Sequence, residues 1–307
     1  MDVDFFVQQL VNGLTLGSVY ALIALGYTMV YGILKLLNFA HGEVYMMGAF
    51  AGYGILTLLG GPLALTVPVA ALILLMLAGA MAGAGALGVV IERVAYRPLR
   101  NAPRIAPLIS ALGVAFFLQA SALLLFGADF RTYETYEYID LAKGIHWGPL
   151  NISIVRILVI LTSFALMIAL TLLVAKTRLG KAMRATAFDR EAAAMQGIDV
   201  DRVIVATFLI GSALAGAAGV MVGLVFYKVF FLMGFIAGLK GFTAAVVGGI
   251  GSIPGAMLGG LLIGFAEAFI TGYVSSTFQD FFVFSILIAI LLVRPSGLLG
   301  RGDIQKV

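Results

Sequence analysis

The sequence predicts an all-α, polytopic membrane bundle of eight to nine transmembrane helices, as one domain spanning 1–307. Three observations predict it. Of the 307 residues, 62% are hydrophobic and 11% charged, against about 25% charged in an ordinary soluble domain. Mean hydropathy is +1.10, which is more apolar surface than a water-soluble core of this length could hide, so lipid is the natural solvent. The basic residues gather between or after apolar runs: thirteen of the 19 Lys and Arg lie in 92–104, 176–202 and 294–307.

The opening Met1-Asp2-Val3-Asp4 is acidic and lacks a basic n-region, so it does not read as a secretory signal. The apolar run of about 8–34 that follows is too long for a signal's apolar segment and reads as a first retained span. Further runs near the ~20 residues that a bilayer requires lie at about 38–59, 63–91, 105–126, 153–175, 203–226, 234–250, 255–272 and 279–293. The run 234–250 is short and glycine-rich, and is either a span or a re-entrant, broken element. Glycine pairs at Gly13/Gly17, Gly48/Gly52, Gly79/Gly83, Gly219/Gly223, Gly255/Gly259 and Gly260/Gly264 predict helices that approach closely within one bundle.

Orientation follows from charge. Cytoplasmic loops are enriched in Lys and Arg, which puts the three basic segments inside. Segment 128–151 carries Asp129, Glu134, Glu137 and Asp140 against Arg131 and Lys143, and goes outside. Nine crossings satisfy every segment, with the N-terminus periplasmic and the C-terminus cytoplasmic. Trp147 and the tyrosines of the outer segment suit an interfacial aromatic belt.

Several chemistries lack their residues. The chain has no cysteine and only two histidines, His41 and His146, far apart, so no metal site or thiol nucleophile is expected. Gly180-Lys181-Ala182 lacks both the upstream glycine and the hydroxyl of a phosphate-binding loop. There is no nucleophile elbow of the G-x-S-x-G kind. Basic residues do not form a face interleaved with aromatics, so nucleic acid is not an expected partner. The reading is a non-catalytic membrane subunit with no cofactor of its own.

Within 176–202, the stretch from Lys181 to Gln196 is rich in good helix formers. Gly197 sits where such a helix would stop, and Asp199 or Asp201 offers a cap for the next span. Glu191-Ala192-Ala193-Ala194-Met195-Gln196-Gly197 reads E-A-A-x-x-x-G and resembles the EAA loop of ABC importer permeases. The later part of that motif departs, since "VATFLIGS" has no proline. The stretches "NGLTLGSVYALIALGYTMVYGILKLLNFAHGEVYMMGAF", "IERVAYRPLR", "VDRVIVATFLIGSALAGAAGV" and "GFTAAVVGGIGSIPGAMLGG" together resemble the branched-chain amino acid permeases of the LivH type, in order and over nearly the whole chain.

That resemblance implies an ABC importer permease fold in the bacterial inner membrane. It implies a second, LivM-like permease subunit, two ATPase subunits that hold ATP-Mg, and a periplasmic substrate-binding protein, all embedded in or docked on membrane lipid. It makes Lys181, Arg184, Glu191, Ala192, Ala193 and Gly197 the candidates for ATPase coupling. The implied substrates are branched-chain or related hydrophobic amino acids, with urea, amides or other amino acids as the alternative. An ion-coupled carrier is a further alternative; its intramembrane carboxylates would have to be Glu43 and Glu267.

Polar residues inside apolar runs are costly and usually face protein or a water-filled path. "LLNFAHGE" places Asn38, His41 and Glu43 at the junction of the first two runs. Two readings stand: a wet cytoplasmic hairpin, or a helix broken at membrane depth beside the pathway. Glu43 could pair with His41 or Lys35, or cap the next helix. Glu267 in "LLIGFAEAFI" either lines the path or bonds a neighbouring helix. "AAVVGGIGSIPGAMLGG" suggests close packing with a backbone break at Gly248, Gly249 and Gly251, beside Ser252.

Overall fold

The computed structural model describes residues 3–60, 69–100, 102–103, 105–133, 144–147 and 150–300. Arg104, Glu134, Glu137, Asp140, Lys143, Arg301, Asp303 and Lys306 of the charged segments lie outside the described residues. In lipid every backbone polar group must be satisfied within the chain, which favours helices. The long apolar runs accordingly become α1 (Val3–Leu34), α2 (His41–Gly60), α3 (Val69–Ile91), α4 (Ile105–Phe126), α5 (Ile154–Lys176), α8 (Val200–Phe226), α10 (Ile253–Tyr273) and α11 (Gln279–Val293), the last extended to an 18-residue span by the 3-10 turn Ser276–Phe278 before it. Two short helices, α6 (Arg178–Phe188) and α7 (Arg190–Met195), fill the long basic segment. Among the described residues, eight helices are long and apolar enough to cross a membrane.

The run 234–250 becomes α9 (Met233–Gly248), 16 residues long. At 1.5 Å per residue it reaches about 24 Å, short of a hydrocarbon core of about 30 Å. The preceding chain enters by β4 (Lys228–Val229), which pairs with β1 (Arg131–Thr132). A hairpin of β2 (Gly144–Trp147) and β3 (Leu150–Ser153) lies in the acidic segment. Tyr133 is fully buried and donates its hydroxyl to the Ala49 carbonyl at 2.5 Å, fixing the acidic segment on α2.

Helix ends are set by side-chain caps, each worth about 1 kcal/mol. Ser153, Thr177, Asp189, Asp199 and Ser252 accept backbone N–H groups at the starts of α5, α6, α7, α8 and α10. Of the two expected caps for α8, Asp199 does the work and Asp201 pairs instead with Arg97 (2.9 Å) and Arg100.

Small residues decide the packing. α1 lies centrally: Gly17 meets the backbone of Leu261 on α10, while Gly260 meets Ala21. On the other side Gly48 of α2 meets Gly216 of α8, and Gly216 also meets Ala80 of α3. These are stripes that the glycine spacing anticipates. α4, α5 and α11 form the periphery and turn Leu124, Leu125, Ile168, Leu292 and Val293 outward, as a lipid-facing surface requires.

Candidate functional site

α1 ends at Leu34, and Lys35 turns the chain in the left-handed region at φ 54°. Residues 36–40 then run back along the bundle without regular structure. Asn38 organises them: its side-chain carbonyl accepts the Ala40 N–H at 3.1 Å, and its backbone carbonyl accepts the His41 N–H at 3.1 Å. The Tyr96 hydroxyl lies 3.2 Å from both the Asn38 side chain and the Leu37 carbonyl. Asn38 therefore closes the turn that leads into α2.

Asn38, His41 and Glu43 are 2%, 1% and 3% exposed, which rules out the wet-hairpin reading. The His41 ring packs edge-on against Tyr27 at 4.8 Å and covers Gly26, where any Cβ would strike it. Gly26 precedes the end of α1 by eight residues, about 12 Å along the helix. α2 thus begins about two turns back from the end of α1, packed against it.

Glycine brings α9 to the same depth. A Cβ on Gly42 would strike the carbonyl oxygen of Gly234 and approach the Gly238 Cα to 2.8 Å; one on Gly234 would approach the Glu43 carboxyl carbon to 2.8 Å. The N-termini of α2 and α9 therefore meet at Glu43. Its Oε2 atom is buried and has no hydrogen-bond partner, and so is His41 Nε2. Lys35 does not answer Glu43; its ammonium lies over the Tyr31 ring at 5.7 Å. Beside Glu43 is a small pocket lined by residues of α1, α2, α4 and α9 and by Phe39.

Glu267 belongs to a different constellation. It is buried, accepts the Tyr20 hydroxyl at 2.8 Å and pairs with Lys240 at 2.8 Å. Lys240 in turn lies 2.8 Å from Asp280. The reading of Glu267 as a hydrogen-bonded link between helices is the one the geometry shows. Lys240 was the residue sequence reasoning missed, although a lysine inside an apolar run is itself the signal.

The glycine-rich break lies at the same end of the bundle as α6 and α7. Gly249 and Gly251 adopt φ 106° and 93°, and Gly248 packs on Gly255. Leu298 and Leu299 donate their N–H groups to Val247 and Gly248 at 2.9 Å, so residues 297–300 cover the break. Ser252 is occupied as the α10 cap.

The single helix expected over Lys181–Gln196 is instead two. Asp189 interrupts it, extended at φ −156°, because its carboxylate captures the N–H groups of Glu191 and Ala192 and starts α7 afresh. Gly197 stops α7 at φ 80°, with Ile198 N–H returning to the Ala193 carbonyl at 3.1 Å. Ala193 is buried, while Glu191, Ala192 and Lys181 face outward. Arg184 bonds the Val174 carbonyl at the end of α5. Phe188 and Met195 are each 82% exposed. Arg190, which the sequence reading passed over, donates Nε and Nη2 to the Ile33 carbonyl at 3.0 and 2.6 Å. Burial, and then the charge of Arg100, lower its pKa.

Residues 9–291 match the family described as "Branched-chain amino acid transport system / permease component". The chain is 45% identical over 307 residues to the high-affinity branched-chain amino acid transport system permease protein BraD of Pseudomonas aeruginosa, covering 100% of this chain and 99% of that one. It is 45% identical to the LivH permease protein of Salmonella typhimurium, over 99% and 98% of the two chains. A probable LivH permease of Methanocaldococcus jannaschii is 30% identical over 92% and 89%.

Proposed function

The chain belongs to the branched-chain amino acid transport system permease family, and from that premise we propose that it is the non-catalytic, membrane-spanning subunit of an ATP-driven importer. It carries Leu, Ile, Val or a related hydrophobic amino acid inward by alternating access. ATP-Mg sits on two separate ATPase subunits, a LivM-like permease completes the pathway, and a periplasmic binding protein delivers the substrate. The segment 176–202 faces the cytoplasm together with the C-terminus, and the N-terminus is periplasmic.

One observation carries the reading. α6 and α7 form a separate surface element with Phe188 and Met195 outward, rooted in the central helix through the Arg190–Ile33 contact. Outward apolar side chains on a short helix suit a groove on a partner, and the root turns movement of that helix into movement of α1. Ile33 precedes the Leu36–Ala40 segment that sets the start of α2, so the motion reaches Glu43. Lys181, Glu191, Ala192 and Gly197 shape this docking element, while Arg184 anchors it to α5.

An ion-coupled carrier would need a free intramembrane carboxylate. Glu267 is occupied by Lys240 and Tyr20, so of the two carboxylates only Glu43 could serve such a carrier. Purification of the chain in mild detergent, with mass spectrometry of what accompanies it, tests this. An ATPase and a second permease are expected. Recovery of the chain alone, with uptake that follows an ion gradient and ignores ATP, would overturn the proposal.

A further inference from the structure

We propose that Glu43 receives the ammonium group of the transported amino acid, in the pocket where the N-termini of α2 and α9 meet. The inference deepens the transport reading and rests on it. A carboxylate buried in a membrane protein is expensive unless something answers it. Glu43 Oε2 is buried and unpartnered, and the nearby cations are committed elsewhere: Lys240 to Glu267 and Asp280, Lys35 to the Tyr31 ring. Tyr27 shares the pocket wall with Glu43, and His41, two residues earlier in the chain, packs on Tyr27 with its Nε2 also unpartnered. None of them carries a fixed positive charge.

The pocket supplies the rest of an amino acid's outline. Glu43 and Gln119 are its polar side chains besides Tyr27, and Phe39, Leu112 and Phe116 are among its walls. α9 enters through Gly234 and Phe235, and Leu232 before it gives no side-chain cap. Met233 N–H bonds the Phe230 carbonyl at 3.2 Å, but the N–H groups that follow carry the positive end of the helix, so the start of α9 takes the substrate carboxylate. Half-helix termini at membrane depth serve anions in this way. The ammonium then bridges the two negative groups, and the aliphatic side chain rests on the aromatic walls. Glycine at 42 and 234 is what lets the two helix starts come close enough, since a Cβ at either would collide.

The test uses the whole transporter in proteoliposomes with its binding protein. The chain has no cysteine, so Gln119→Cys introduces one reporter thiol into this subunit at the pocket wall. During ATP-driven turnover, leucine is expected to slow its modification by a methanethiosulfonate reagent. The isosteric 2-keto acid of leucine, which lacks the ammonium, is not. Adding Glu43→Gln abolishes the protection and lowers leucine uptake by about tenfold or more, as loss of one charged hydrogen bond predicts. Co-purification of the ATPase subunits with Glu43→Gln certifies assembly. Protection by the keto acid equal to that by leucine, or an assembled Glu43→Gln transporter with undiminished uptake, overturns the proposal while leaving the transport reading intact. Failure of the unsubstituted complex to move any amino acid overturns the transport reading instead.

Discussion

Arg190→Ala separates ATP hydrolysis from transport if the coupling element acts through α1. The guanidinium gives two hydrogen bonds to one carbonyl, at 3.0 and 2.6 Å, across 157 positions of sequence. A hydrogen bond to a charged group contributes about 1.5–3 kcal/mol, and partial exposure of Arg190 places the pair nearer the lower end. About 2 kcal/mol corresponds to roughly thirtyfold in an equilibrium. Removal leaves Phe188 and Met195 in place on the docking surface, so the ATPase subunits still bind. The assay is the ratio of ATP hydrolysed to leucine accumulated in proteoliposomes, with co-purification as the control. Uptake is expected to fall by about ten- to thirtyfold while ATP hydrolysis stimulated by the loaded binding protein persists. Arg190→Lys restores part of the coupling, because lysine presents a point charge and not a fork. Unchanged uptake in Arg190→Ala, or parallel loss of assembly and hydrolysis, refutes the reasoning.

Other substitutions report on separate features. Lys240→Met strips the partner from two carboxylates and costs about 3–5 kcal/mol, the usual loss when one member of a buried pair is removed; size-exclusion chromatography in mild detergent shows the loss of a monodisperse peak, and Lys240→Met with Glu267→Gln recovers part of it. Gly234→Ala drives a methyl into the Glu43 carboxylate and abolishes uptake even where ATPase co-purification persists. Gly197→Ala meets no atom within 4 Å of its new Cβ but holds φ 80°, so backbone strain of about 1 kcal/mol acts alone and lowers the thermal midpoint by a few degrees. Gly197→Asn, more tolerant of that region, is expected to lose less.

The spans were legible because a bilayer enforces one length and one polarity, and each element at 105–126, 153–175 and 255–272 lies within two residues of the observed helix. The glycine pairs at 13/17 and 260/264 were legible for the same reason: their spacing admits little but a close crossing. What the sequence left open depended on depth. "LLNFAHGE" is as consistent with a surface turn as with a buried one, because both need a cap and a glycine; only the contacts of His41 with Gly26 and of Gly42 with Gly238 place it inside. The break at Asp189 was hidden by helix propensity on both sides, although aspartate three residues before an alanine run is also a cap. Arg190 looked like one more positive charge in a basic loop, and its partner is a backbone carbonyl that no sequence pattern records.

The end of α1 and the segment Leu36–Ala40 after it are held from two directions, and that arrangement argues for where the mechanism turns. From α7, Arg190 grips the last turn of α1 at Ile33. From the end of α3, Tyr96 reaches Asn38 and Leu37, and the π turn Glu92–Tyr96 that presents Tyr96 is fixed by Arg100 to Glu92 and to Asp201 at the start of α8. A π turn re-aims side chains without ending a helix and recurs at functional positions. Both grips originate at the face that carries the basic segments; one ends on the last turn of α1 at Ile33 and the other on Asn38 and Leu37, in the turn that leads into α2. A shift of α7 relative to α8 changes the two grips unequally and moves Asn38, and with it the helix start that carries Glu43. Tyr96→Phe removes one grip while keeping the ring packed on Phe208. It costs only about 1 kcal/mol in stability, yet it is expected to add to Arg190→Ala less than independently, because both act on one segment. Additive losses of uptake in the double variant would place the turning point elsewhere.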